Sequence, residues 1–316
     1  MVNAVKSPIL SLWKVGYEPD GFIMVAVLWI LGALAALVSI YSVFVINTAT
    51  GFGIHEDRLR SEALVSAALE LTADRQFSTP AQSRLTYGEF AFRLGGAAVA
   101  VDYRSEAARI DLNKAPNELL IALFVALGER PEQAVQYVMR IVEWRTALPK
   151  NQTAEALGRP KEGFGLARRG ARFPHVGELS LVRDVPHAVI ERALPFLTVY
   201  SNRPQVNILE AAPEVVAALP GMTPDRVRGV LAQRQAFPEN GQALLSMLGA
   251  ARQYATTDGS KAVRVHTRSS FGNGHRMSSE VVILIFDNSN EPYSVLSWQG
   301  DLAESRATDE IKRGWL

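Results

Sequence analysis

Asp287, Asn288, Ser289, Asn290 and Glu291 follow one another without interruption, the densest run of oxygen-bearing side chains in the 316-residue sequence. A calcium ion takes roughly six to eight oxygen ligands, so Asp287, Asn288, Asn290 and Glu291 are candidate calcium ligands. The same residues also favour a tight turn with no ion at all. The histidines add no metal spacing: His175 and His187 stand twelve residues apart, and His55, His266 and His275 are scattered. There is no cysteine, which excludes disulfides, thiolate zinc sites, iron–sulfur clusters and thiol nucleophiles. The sequence contains no G-x-S-x-G elbow, P-loop or H-E-x-x-H. A protein that is not an enzyme is the expectation, with no cofactor beyond that possible calcium.

Phosphate recognition is the next chemistry to weigh. IDLNKAPNELLIAL from Ile110 aligns without gaps to VNILEAAPEVVAAL from Val206, an internal repeat offset by 96 residues. Each copy reads as a short extended piece, a helix opening near Ala-Pro with a Glu in its first turn, a break at Gly128 or Gly221, and a second helix opening at Pro131 or Pro224. That is a helix–hairpin–helix pattern. Such hairpins hold nucleic-acid phosphates through consecutive amides of a G-h-G turn. Here the turns read ALGERPEQ and LPGMTPDR, with Arg130 and Thr223 in place of the second glycine and a proline after each. With 33 Lys and Arg against 32 Asp and Glu there is no bulk electrostatic case either, so no nucleic acid is expected. The basic stretch between the copies, GRPKEGFGLARRGARF, reads as a surface loop.

The elements that position these features begin with residues 22–46, FIMVAVLWILGALAALVSIYSVFVI, which carry no charge. Twenty-five helical residues extend roughly 37 Å, enough for a tilted passage through a hydrocarbon core of about 30 Å. Beyond Gly53, residues Leu59, Ala63, Leu64, Ala67, Ala68 and Leu71 recur near helical spacing, so the helix is expected to continue outward and to pack on a sheet. Residues 84–103 read as a hairpin turning at Gly95-Gly96. After about residue 260, AVRVHTRSSF, EVVILIFD and YSVLSWQGD read as three strands. The helical section therefore lies between two β-rich pieces.

The apolar run starts directly after Gly21, with Phe22 as its first residue. This junction resembles a type IV prepilin leader, in which a prepilin peptidase cuts after the Gly and methylates the new N-terminal residue, here Phe22. The fifth mature position, usually Glu in pilins, is Ala26. That departure, the repeated helical insertion and the closing strands together resemble the K-type minor pseudopilins of type II secretion, the general secretion pathway protein K family. The resemblance covers nearly the whole chain. It implies an α+β fold with a type IV pilin-like long N-terminal helix packed on a small antiparallel sheet, and a large α-helical insertion with two helix–hairpin–helix-like repeats. The expected segments are a leader (1–21), a transmembrane helix (22–50), a pilin-like helix with the first strands (51–108), the insertion (109–258) and the C-terminal strands (259–316).

The resemblance further implies a tip subunit that begins or caps the pseudopilus. Its partners would be the I- and J-type minor pseudopilins, the major pseudopilin, the prepilin peptidase and the inner-membrane secretion platform. The location implied is the inner membrane of a Gram-negative bacterium, crossed once, with the bulk of the chain in the periplasm. The alternative is a membrane-anchored helix–hairpin–helix protein that binds DNA.

Overall fold

The structure is a computed structural model, and it describes residues 19–78, 86–146, 172–237, 240–286 and 291–300. The chain divides into two compact units, Met1–Arg60 and Ser61–Leu316. The first contains most of helix α1 (Pro19–Phe77), whose Ile23–Val45 stretch is long and apolar enough to cross a membrane. Met24, Leu28, Trp29 and Ile40 in this stretch are all more than 70% exposed. In water a patch of this extent would be a liability, whereas lipid tails satisfy it.

In the second unit, the end of α1 buries Ser61, Leu64, Val65, Ala68, Leu69, Thr72, Ala73 and Gln76. Steps of three and four residues place these on one stripe. Of the residues expected there, Leu64 and Ala68 are buried, whereas Leu59, Ala63 and Leu71 are exposed. The stripe is turned toward Val65 and Leu69 because it includes polar residues that hydropathy alone passes over. Thr72 bonds back to the Ala68 carbonyl at 2.7 Å, and Gln76 bonds the Tyr103 phenol, so both are buried without an unmet polar group.

Strands β1 (Tyr87–Leu94) and β2 (Ala97–Ser105) form the hairpin, with Gly95 and Gly96 both at positive φ, 58° and 80°. A two-residue hairpin turn needs this conformation at both positions, and glycine adopts it without steric cost. The insertion follows: β3 (Ile110–Asp111), α2 (Asn117–Ala126), α3 (Pro131–Arg145), α4 (His187–Ala193), β4 (Leu197–Thr198), β5 (Val206–Asn207), α5 (Pro213–Ala217), α6 (Pro224–Ala236), α7 (Gly241–Met247) and β6 (Ala255–Thr256). The chain then returns as β7 (Ala262–Ser270), β8 (Arg276–Ile285) and β9 (Tyr293–Gly300). The main sheet is antiparallel throughout, in the order β1-β2-β7-β8-β9.

Alternation along the strands gives the sheet two different faces. Val99, Val101, Tyr103, Val263, Val265, Val281 and Ile283 form one core with Leu64, Val65, Ala68 and Leu69 of α1. Between them in register lie Asp102, Arg264, His266 and Glu280 on the other face. A second core, separate from the first, fills the insertion around Leu119, Leu120, Leu123, Phe124, Ile141, Leu179 and Ile190.

Gly88 pairs across the hairpin with Tyr103, whose ring lies over it; a Cβ added at Gly88 would fall 2.4–2.7 Å from the ring's outer atoms. Since Tyr103 is 4% exposed, it has little room to yield. Gly88→Ala is expected to destabilise the protein by about 1–3 kcal/mol through overpacking and loss of the Gln76 bond, measured by denaturant unfolding in detergent.

Candidate functional site

The two sequence repeats fold into matching units. In the first, Ile110 pairs in parallel with Leu197, and in the second Val206 pairs in parallel with Ala255. Asp111 Oδ1 accepts from the Asn113 amide at 2.8 Å, and Asn207 Oδ1 accepts from the Leu209 amide at 2.9 Å. The first helices bury equivalent residues, Leu119, Leu120 and Leu123 against Val215, Val216 and Leu219. Gly128 and Gly221, at φ 95° and 84°, lie in the turns that lead to the second helices.

An arginine from the second helix then locks each entry loop. Arg145 Nη1 donates to the carbonyls of Leu112 (2.7 Å) and Ala115 (3.0 Å). Arg234 Nη1 donates to the equivalent carbonyls, Ile208 (3.2 Å) and Ala211 (2.6 Å). These carbonyls face inward at a helix entry, where a guanidinium supplies several donors at once. Neither arginine was legible as a clamp in the sequence, because the two occupy different turns of their helices once Pro131 and Pro224 are aligned.

A charged cluster joins the insertion to the polar face of the sheet. Glu106, 1% exposed, follows β2 directly. Its carboxylate accepts from Arg264 Nε at 2.6 Å and Nη2 at 3.1 Å, and from the Thr198 hydroxyl of β4. Arg264 Nη1 also bonds Glu280, whose second oxygen lies 3.1 Å from His266 Nε2. Burial works against the Glu106 charge, but Arg264, Arg109 and the Thr198 hydroxyl together outweigh it and hold the carboxyl below its usual range. Burial and the same guanidinium pull Arg109 down to about 10. A buried carboxylate bonded by three donors from the sheet and the insertion holds these two pieces of chain together.

His266 has its pKa lowered, by burial first, against the opposing pull of Glu280 and Asp102. The unfolded chain therefore takes up this proton first: the stability tied to His266 is complete above pH 6.5 and is lost as pH falls toward the folded-state value. Melting temperature measured against pH is expected to show a decline starting near pH 6.5 that His266→Gln removes. Glu106 adds a further loss in more acidic solution, as pH falls through its lowered folded-state value.

The structure places the Gly21–Phe22 peptide in the first turn of α1 and Ala26 one turn further on. Asp287, Asn288 and Asn290 lie outside the described residues; Glu291 is described and lies just before β9. Among the described residues no three His, Asp or Glu side chains gather as a metal site would require. His175 is used locally, its Nδ1 accepting from the Gly177 amide at 3.0 Å, and His187 lies 3.2 Å from Glu191 on an exposed turn of α4.

No protein-family model matches the sequence, and no curated protein does either. Among solved structures, a chain of the GspK-GspI-GspJ complex from the type 2 secretion system of enterotoxigenic Escherichia coli is similar, at TM-score 0.55 and 17% identity. The match covers 81% of this chain and 100% of that one. The two chains share a fold. The likeness extends into the insertion, because the residues outside Ser105 to Ala262 make up only about half of the 316 and cannot account for 81%.

Proposed function

We propose that the protein is a K-type minor pseudopilin of type II secretion, anchored in the inner membrane by α1 with its second unit in the periplasm. The observation that carries this reading is the fold shared over 81% of the chain, insertion included, with a subunit of a secretion complex. In this role it assembles with I- and J-type minor pseudopilins at the tip of the pseudopilus, above the major pseudopilin, and is processed by the prepilin peptidase at the inner-membrane platform. It supports export of folded proteins without catalysing a reaction of its own.

Ala26 bears on the tip position. A carboxylate within lipid is costly unless it meets a partner, such as the terminal amine of the adjacent subunit. A subunit with alanine there lacks that contact to a subunit above it, and a bulky insertion would obstruct stacking on the same side. The turns at Gly128 and Gly221 lead into Pro131 and Pro224, which have no amide hydrogen to offer a phosphate, so the DNA-binding alternative gains no support.

The test is deletion in the native bacterium. Loss of exoprotein secretion is expected, with recovery by the wild-type chain, and the chain should co-purify with I- and J-type subunits in detergent. Unchanged secretion after deletion would overturn the reading. Ala26→Glu is expected to lower secretion several-fold; wild-type secretion by this variant would mean that the missing charge does not define the tip role.

A further inference from the structure

The second repeat unit uses its entry loop to grip the sheet. Glu210, 6% exposed, accepts a hydrogen bond from Thr86 Oγ1 at 3.0 Å. The Ser260 amide donates to Ser105 Oγ at 2.8 Å. Between them, a Cβ placed on Gly259 would come 3.1 Å from Thr86 Cγ2 and 3.4 Å from Ser105 Oγ. Thr86 and Ser105 are themselves bonded, Ser105 N to Thr86 O at 2.6 Å, and form the open end of the β1–β2 hairpin. Glu210, Gly259 and Ser260 are thus a cradle, and the hairpin end is its occupant.

The first unit has a corresponding place, although there the amide that matches Ser260's donates to Asp111 within the unit. The parallel pairs Ile110–Leu197 and Val206–Ala255 fix the correspondence, and the bonds confirm it. Leu112 N donates to Thr198 O at 2.8 Å as Ile208 N does to Thr256 O at 2.9 Å. Tyr200 N and Asp258 N donate at 3.1 Å to the hydroxyls of Thr198 and Thr256. Lys114 therefore stands where Glu210 does, Ser201 where Gly259 does, and Asn202 where Ser260 does. At this place the first unit has a pocket of about 250 Å³ lined by Lys114, Arg172, Asn113, Phe173 and Asn202, with Asp111 among its walls.

Charge decides what this pocket accepts. Asp111 is 1% exposed and its carboxylate is occupied by the amides of Asn113 and Asn202, both at 2.8 Å, and by Ser201 Oγ at 3.1 Å. Lys114 and Arg172 have no ion-pair partner among the described residues, and both line the opening. Asn202 is held at φ 53°, a left-handed conformation that asparagine tolerates better than most residues, and this turns the chain at the pocket wall.

We infer that this pocket is a second docking cradle, and that it receives a carboxylate-bearing segment of another protein, seated between Lys114 and Arg172. The sign of the charge is inverted relative to the second unit, where a carboxylate of the cradle meets a hydroxyl of the occupant. Here the cradle supplies the cations and the partner supplies the acid. The pocket and the two cations at its opening carry this inference without reference to the secretion role.

The test uses the full chain in zwitterionic nanodiscs and three fluorescein-labelled probes: a hexapeptide of alternating Asp and Glu, its Asn and Gln counterpart, and hexathymidylate. Fluorescence anisotropy is expected to show binding of the acidic peptide and none of its amide counterpart. Lys114→Glu and Arg172→Glu should each weaken that binding by about tenfold or more, whereas Arg228→Glu on the exposed side of α6 should leave it unchanged. Lys114→Gln, which adds no charge, should give an intermediate loss and guards against misfolding of the reversed variant. Equal binding by wild type and Lys114→Glu, or no binding of the acidic peptide, would overturn the proposal. Preferential binding of hexathymidylate with the same two variants defective would overturn it too, by making the pocket a phosphate site.

Discussion

Co-expression with a prepilin peptidase is expected to remove the first 21 residues and leave an N-methylated Phe22 as the new terminus, read by mass spectrometry of the membrane-extracted protein. The effect is all-or-none at the level of the intact mass. Its physical basis is the position of the bond. The Gly21–Phe22 peptide lies immediately before the apolar Ile23–Val45 stretch of α1. Glycine at the cut also lets the backbone adopt whatever angles the cleft demands. Because the cut precedes Ile23–Val45, the anchor is retained after processing. Gly21→Leu is expected to leave the full-length chain uncut. An intact N-terminus with and without the peptidase would withdraw the pseudopilin assignment, yet would not touch the docking cradle at Lys114.

Replacement of Arg264 by Leu is expected to cost about 3–5 kcal/mol, a large part of the roughly 5–15 kcal/mol that holds a typical domain folded. The reason is what remains behind. Glu106 would keep a charge at 1% exposure with only the Thr198 hydroxyl to bond it, and Glu280 would lose its guanidinium. Desolvating an unpaired carboxylate is far more costly than the pair itself is favourable. The double variant Glu106→Leu with Arg264→Leu should recover part of the loss, since the Glu106 carboxylate is no longer left without its guanidinium, although Glu280 still is. Denaturant unfolding followed by tryptophan fluorescence of the wild type, the two single variants Glu106→Leu and Arg264→Leu, and the double variant closes the cycle, and a coupling energy near zero would show that the two side chains act independently. Because Thr198 belongs to the insertion and Arg264 to the sheet, the single variant is also expected to loosen the insertion before the sheet, visible as faster amide exchange around Thr198.

Several features needed nothing beyond the sequence. An uncharged, apolar run of 25 residues is long enough to cross a membrane as a helix, and the first part of α1 follows from it. Gly95-Gly96 between alternating apolar residues left little choice but a hairpin, and the Pro positions of the repeat set where α2, α3, α5 and α6 begin, because proline acts through its own backbone. The repeat itself was legible because its buried positions, Leu119 with Val215 and Leu123 with Leu219, keep their spacing.

Other features were decided only by tertiary structure. The buried stripe of α1 passes through Ser61, Thr72 and Gln76, which a hydropathy pattern discards; their burial depends on bonds to partners that only the fold brings near. Glu106 and Arg264 are separated by 158 residues, and either alone reads as an ordinary surface charge. The arginine clamps and the paired cradles of the two units were hidden for a related reason. Beyond the first helix the offset between copies no longer stays at 96 residues, and hydrogen bonds from Leu112 to Thr198 and from Ile208 to Thr256 reveal what corresponds to what. Local chemistry determined which elements form, since helices, turns and a lipid-seeking segment depend on near neighbours. Long-range packing decided which charges meet, since that depends on where the chain returns.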